Sequence, residues 1–269
     1  FANPVIRGFH TELETVYEEK NMSLTNDFRK ALEAMDGMLF PDHPYGTQTV
    51  LGTQEHLKNP SITNIKNYQK TYYVPNNIAI CLSGDFDPDE MVAVIEKYFG
   101  QMQPNKDLPE ITLTTSSVIE SPAEKDVYGL DAENVMIGWK YPGAKSEDAL
   151  VAEVAASVLY NGSAGLIDLN INQQQTVLEA DGMSYSRPDA GELILMGNPK
   201  QGQTLEEVRD ILLAEVAKLR NGEFDDAVLS GTVNNMKKMM MRSLEDNGRR
   251  ADMFVQSFIK GTDWVDDVK

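Results

Sequence analysis

The feature that most constrains this chain is an internal repeat at an offset of 220 residues. Ser23-Leu-Thr-Asn-Asp-Phe-Arg-Lys-Ala31 matches Ser243-Leu-Glu-Asp-Asn-Gly-Arg-Arg-Ala251 at four of nine positions, and Lys30 faces Arg250. The apolar positions keep step around the match. Phe9 faces Leu229, Leu13 faces Val233, Val16 faces Met236, Met35 faces Val255 and Leu39 faces Ile259. Solenoid units recur at roughly 20–50 residues, so a period this long predicts duplicated domains. In 269 residues the period accommodates the back of one copy and the front of the next. The counterpart of residues 111–220 falls before residue 1, and Phe1-Ala-Asn-Pro-Val-Ile-Arg-Gly8 has neither an initiator Met nor an apolar leader. The expectation is a window cut from a longer protein, lacking about a hundred residues of its first domain.

Periodicity predicts the elements within this window. Apolar residues at three- and four-residue steps make 8–40 helical, with a break near Thr25-Asn26-Asp27, residues suited to an N-cap. Pro41-Asp42-His43-Pro44-Tyr45-Gly46 ends that run in a loop. Ser61 opens a helix to about residue 72. Ile78-Ala-Ile-Cys-Leu-Ser83 reads as a buried strand with Cys81 in the core, and Pro88 starts a helix to residue 99. The polar stretch 104–122, rich in Thr and Ser, is the linker candidate. Beyond it, 124–141 reads as extended and 146–160 as a packed helix. Residues 177–187 and 191–198 form a strand–turn–strand around Arg187-Pro188-Asp189, and helices follow at 204–220, 224–246 and 248–259. Met236, Met239, Met240 and Met241 read as a core or interface stripe. Helices alternating with hairpins give an α+β fold, helices packed on antiparallel or mixed sheets.

Charge and composition exclude several classes of function. The chain carries 24 Lys+Arg against 42 Asp+Glu, a net charge of −18, with 8 basic and 19 acidic residues in 107–220. Such a surface does not track a phosphate backbone, so nucleic acid is excluded as a partner. One cysteine precludes an internal disulfide or a multi-cysteine metal site. No apolar run reaches the ~18 residues of a membrane-spanning helix.

The residues alone supply no complete active site. His10, His43 and His56 are not spaced as a helical metal pair, and no nucleophile elbow, P-loop or dinucleotide fingerprint is present. His10 and Glu14 are spaced for an i,i+4 contact, and His43 reads as structural. The two copies differ at polar positions: Glu12, Glu18 and Glu19 correspond to Thr232, Lys238 and Met239. That difference fits either solvated helix glutamates or a site kept in one copy and lost in the other.

Several segments together carry a family resemblance. They are Glu12-Leu-Glu-Thr-Val-Tyr-Glu-Glu-Lys-Asn21, Leu39-Phe-Pro-Asp-His-Pro-Tyr-Gly46, and Tyr72-Tyr-Val-Pro-Asn-Asn77 leading to Gly84-Asp85 and Tyr98-Phe-Gly100. Their order resembles the stretch after the HxxEH helix in the inverted zinc metallopeptidases of the pitrilysin/insulinase family. The resemblance implies a two-layer α/β sandwich of the LuxS/MPP-like metallopeptidase type, with duplicated domains. Residues 1–105 would be the rear half of the catalytic-type domain, 106–122 a linker, and 123–269 the front part of the second, non-catalytic domain.

In such proteins HxxEH supplies two histidine ligands and a glutamate base, and a downstream glutamate completes the zinc site. By that spacing Glu19 would be the metal ligand and Glu12 its supporting neighbour, with Glu18 turned away by about 100°. No His-x-x-Glu-His occurs in these residues. The resemblance therefore implies a zinc endopeptidase in the full-length protein, acting on oligopeptides or unfolded segments through metal-activated water. Zinc would belong to that full-length protein and to none of this chain alone, which would be inactive. Its partners would be peptide substrates, docked against a sheet edge, and the remaining halves of the same polypeptide. The alternative within the family is a non-catalytic peptide-binding or scaffolding half or subunit. Outside it stands an unrelated acidic α+β domain whose glutamates merely face solvent.

Overall fold

The computed structural model describes residues 1, 4–110 and 118–268. The chain divides into two compact units, Phe1–Gly129 and Leu130–Lys269. The Thr-rich centre of the expected linker, 111–117, lies outside the described residues.

The first unit is helical: α1 (Phe9–Leu24), α2 (Asp27–Leu39), α3 (Pro44–Thr47), α4 (Gln54–Lys58), α5 (Ile62–Tyr72) and α6 (Pro88–Phe99), with a 3-10 turn at Pro75–Asn77. The expected break falls between α1 and α2. Asn26 there has an extended backbone, and its side chain accepts from Arg29 N at 2.8 Å. Such a cap satisfies one of the donors that a helix start leaves unpaired. Met35 and Leu39 on α2 are buried with the following Phe40. α1 turns Lys20 and Ser23 inward, and Lys20 Nζ reaches Glu33 Oε1 of α2 at 3.5 Å. α5 and α6 bury no residue; Ile62, Ile65 and Tyr68 stand exposed along one side of α5, and Val92 and Val94 are exposed on α6.

The strand expected at 78–83 does not form. These residues adopt no regular element, Ile80 and Leu82 are 42% and 46% exposed, and Cys81 is only partly buried. A strand needs a neighbour to take up its backbone N–H and C=O groups, and this unit has no strand among its described residues.

The second unit is α+β: β1 (Val135–Pro142), α7 (Glu147–Leu159), β2 (Glu179–Ser186), β3 (Ala190–Asn198), α8 (Leu205–Asn221), α9 (Asp226–Glu245), α10 (Asn247–Lys260) and α11 (Trp264–Asp267). A π-helical turn covers Asp168–Asn172. Residues 118–134, part of which was expected to be extended, carry no regular element. The sheet runs β1-β3-β2, antiparallel throughout, with Val135 opposite Gly197 and Glu179 opposite Asn198. Val158 and Leu159 of α7, Val208 and Leu212 of α8, and Ala180 and Leu195 of the sheet join Ile167, Ile171 and Val177 in one core. Gly197 lets α8 lie directly on β3. A Cβ there would sit 2.6 Å from Val208 Cγ1 and 3.2 Å from Leu212 Cδ1. α8 starts with a capping box between Thr204 and Glu207 and ends at Gly222, whose φ of 67° suits glycine.

The repeat is visible as structure. α9 covers the counterpart of α1, while α10 and α11 begin 220 residues after α2 and α3. Caps recur in step. Asp246 accepts from Arg249 N at 2.8 Å, as Asn26 does from Arg29. Asp263 accepts from Val265 N at 2.7 Å, as His43 Nδ1 does from Tyr45 N at 3.2 Å. The methionines of α9 do not form a core stripe: Met239 and Met241 are 50% and 69% exposed, and Thr232 is the residue α9 buries. No helix among the described residues is long and apolar enough to cross a membrane.

Candidate functional site

The carboxylates singled out by sequence all lie on α1, with Glu12 in its first turn. Glu12 and Glu19 are both exposed. Seven residues are close to two turns, so the two share one side of the helix. Lys20, one position on, is rotated by about 100° and points inward to Glu33. A shallow depression lies beside α1, lined by Leu13, Glu14, Tyr17, Glu18 and Leu57. Glu18 borders it; Glu12 and Glu19 do not.

The histidines are not brought to these glutamates as ligands. His43 is buried, and its Nδ1 caps α3. His56 Nδ1 accepts from Thr53 N at 3.3 Å, closing a capping box at α4. His10 is exposed at the start of α1, its ring edge-on to Phe9 at 5.6 Å, and it forms no ion pair with Glu14 among the described contacts. Among the described residues no three His, Cys, Asp or Glu side chains are grouped to hold a metal ion. An exposed carboxylate without nitrogen neighbours does not make the three-ligand, open-position centre that catalytic zinc requires. The residues of this chain do not by themselves fit zinc.

The second unit holds a different polar arrangement, around β2, from its outer edge at Ala180 to the sheet it shares with β3 and β1. Asn172, on the π-helical turn, clasps Ala180 at two points: its Nδ2 donates to Ala180 O at 2.7 Å and its Oδ1 accepts from Ala180 N at 2.9 Å. Asp168 Oδ2 holds the preceding loop by accepting from Asn161 N and Gly165 N. Tyr141 OH meets Ser184 Oγ at 2.7 Å, and burial pushes the Tyr141 hydroxyl above its ordinary range. Burial also raises Asp181, helped by the Glu179 carboxylate. Arg187 pairs with buried Glu192 at 2.8 Å. Sequence reasoning missed this edge. Its one signal was Asn172, a polar residue directly after buried Ile171.

A family model described as the Peptidase M16 inactive domain matches residues 61–236. The chain belongs to that family. This bears out the pitrilysin/insulinase resemblance and overturns the reading as an unrelated acidic domain. Among curated relatives, zinc protease PqqE of Helicobacter pylori is 24% identical over 232 residues, covering 81% of this chain and 51% of that protein. The uncharacterized zinc protease YmxG of Bacillus subtilis is 22% identical, covering 89% and 57%. The chain thus spans about half the length of these relatives. Among solved structures, a protease from Helicobacter pylori superposes with a TM-score of 0.82 at 19% identity, over 96% of this chain and 64% of that one. The first half of the periplasmic protease PqqL from Escherichia coli gives 0.66 at 15%, over 96% and 57%. At these identities the likeness is one of fold.

Proposed function

We propose that this chain is a fragment of a zinc-dependent endopeptidase that cleaves oligopeptides or unfolded segments, joining the rear of its catalytic-type domain to the front of its non-catalytic one, and that it cleaves nothing by itself. The observation that carries this reading is the asymmetry between the two helix copies. α1 keeps Glu12 and Glu19 on one exposed side, whereas α9 has Thr232, buried, and Met239 at the same positions. In this reading Glu19 completes a metal centre whose other ligands come from elsewhere in the full-length protein. Glu12 supports it from the next turns of the helix. The second unit contributes structure rather than chemistry.

The test uses the full-length protein. Glu19→Gln should strip most of its zinc, measured by metal analysis, and abolish chelator-sensitive cleavage of a quenched peptide library. Zinc retained in full by Glu19→Gln would sink the ligand assignment. A second reading, a non-catalytic peptide-binding or scaffolding half, draws on the inactive-domain match. It gains if the full-length protein binds peptides but neither holds zinc nor cleaves them. The isolated 269-residue chain should show no chelator-sensitive cleavage under either reading.

A further inference from the structure

The face of the sheet turned away from α7 and α8 carries side chains that neither the core nor the metallopeptidase reading uses. Leu195 belongs to the helix-covered core, so its neighbours Ile194 and Met196 on β3 project to the other face. By register Met196 lies between Met136 of β1 and Asp181 of β2, and Ile194 lies between Gly138 and Met183. Directly opposite residues share a face. Two adjacent rows across the three strands therefore hold three thioethers and one carboxylate.

The hydrogen-bond pattern sets how near these groups come. Asn172 takes both the N–H and the C=O of Ala180, so Ala180 and Gly197 are a non-bonded pair, and the backbone groups of Gly197 turn to Val135 instead. Alternation then makes Met136 and Met196 a non-bonded pair as well, the kind whose Cα atoms stand only ~4.5 Å apart. Met183 is diagonal to Met196, a separation of ~7–8 Å that long side chains still bridge. All three methionines are half-buried. Ile194 beside them is fully buried, although Gly138 offers it no side chain. Longer neighbours on this face bend over it, as an unbranched methionine does readily.

Asp181 brings an unpartnered oxygen to the group. Its Oδ1 is buried without a hydrogen-bond partner, and burial together with the Glu179 carboxylate raises the acid. A buried oxygen left unpaired is costly, and a cation set against it removes that cost. The donor set selects the ion: thioether sulfur favours monovalent copper over zinc, calcium or magnesium.

We propose that Met136, Met183 and Met196, with Asp181 beside them, form a site for one Cu(I) ion on the face of the sheet away from α7 and α8. The donors are thioethers rather than the nitrogen and carboxylate ligands of a zinc centre. The site lies in the second unit and does not rest on Glu19 or on zinc.

The test titrates Cu(I), kept reduced by ascorbate without air, into the 269-residue chain carrying Cys81→Ser, which removes the competing thiol. One equivalent should be retained against bicinchoninate, excess Zn(II) should not displace it, and X-ray absorption should show sulfur around the copper. Leucine in place of methionine nearly conserves volume. Met136→Leu and Met196→Leu should therefore fold, and each should weaken Cu(I) binding by about tenfold or more, since even loss of a group that only supports a ligand costs about that much. The double variant Met239→Leu/Met241→Leu, on exposed α9, is the matched control and should bind as the parent does. Independently of these substitutions, Ag(I) as a redox-inert probe should shift the methyl NMR signals of Met136, Met183 and Met196 and leave those of Met239 and Met241 in place. No retained copper overturns the proposal, as does displacement by Zn(II) or parental affinity in the Met136→Leu/Met196→Leu double variant. Silver shifts confined to Met239 and Met241 do the same. Should the β-strand variants fail to fold, the silver measurement decides alone.

Discussion

The two units of this chain are built from comparable lengths of sequence yet bury apolar surface very differently. In the second unit, α7 and α8 lie on a sheet and close a core that includes Val158, Leu159, Leu195, Val208 and Leu212. In the first, apolar burial is confined to Met35, Leu39, Phe40 and Val74 among the described residues, and α5 and α6 bury nothing. The contrast shows that amphipathic helices alone do not make a core: they need a facing layer. The second unit supplies one within its own sequence. The first has helices capped as carefully, through Asn26, Ser61 and Asp87, but no strand among its described residues.

Deleting methyl groups tests this contrast most strongly. Leu212→Ala should cost about 3 kcal/mol by leaving a cavity, whereas Ile65→Ala on exposed α5 should stay within about 0.5 kcal/mol. Both tryptophans, Trp139 and Trp264, belong to the second unit. Their fluorescence in urea therefore reads that unit, and hydrogen exchange at α5 reads the other. Equal costs would mean that α5 is packed as firmly as α8. Gly197→Ala adds a single methyl where β3 and α8 meet and should cost about 1–3 kcal/mol by overpacking. No change in the Trp midpoint would show that α8 shifts freely.

The repeated caps probe what the units share. Asn26→Ala and Asp246→Ala should each cost about 1 kcal/mol, seen as faster amide exchange in the first turns of α2 and α10 respectively. A cost at one site only would break the equivalence of the copies.

The smallest expected effect concerns Asp181. Burial and Glu179 raise its carboxyl, so the folded chain holds that proton more tightly than the unfolded one. Its favourable contribution is present while the group is protonated and is lost as pH rises through the raised value. Asp181→Asn should then raise Tm near neutral pH by about 1 °C, the effect being discounted for a half-exposed group. At about pH 3 the difference should vanish. The opposite trend would mean that a cation already neutralises this carboxylate.

Much of this fold was legible because its signals are local. Asn26, Ser61, Asp87 and the Thr204–Glu207 box mark helix starts through hydrogen bonds spanning two or three residues, and Pro88 opens the first turn of α6. The hairpin around Arg187-Pro188-Asp189 is likewise short-range, and the period of 220 shows through matching stripes and caps. What stayed hidden depends on partners distant in sequence. Ile78-Ala-Ile-Cys-Leu-Ser83 has the composition of a strand, but pairing decides whether it becomes one. The role of Asn172 depends on where β2 arrives, eight residues later. The candidate metal site was the least legible. Nothing local distinguishes Glu19 from the other exposed glutamates of α1; only family spacing does.

Gly197 carries a consequence for how this sequence can drift. With no side chain on β3 at that point, the room belongs to Val208 and Leu212 of α8. A larger residue becomes acceptable only after one of those two has shrunk, and a smaller residue there leaves a void until position 197 grows. Either first step is costly, so strand and helix can change only as a linked set. The glycine thus acts as a latch on the history of the protein as well as on its geometry: the order in which substitutions occur matters as much as which ones occur.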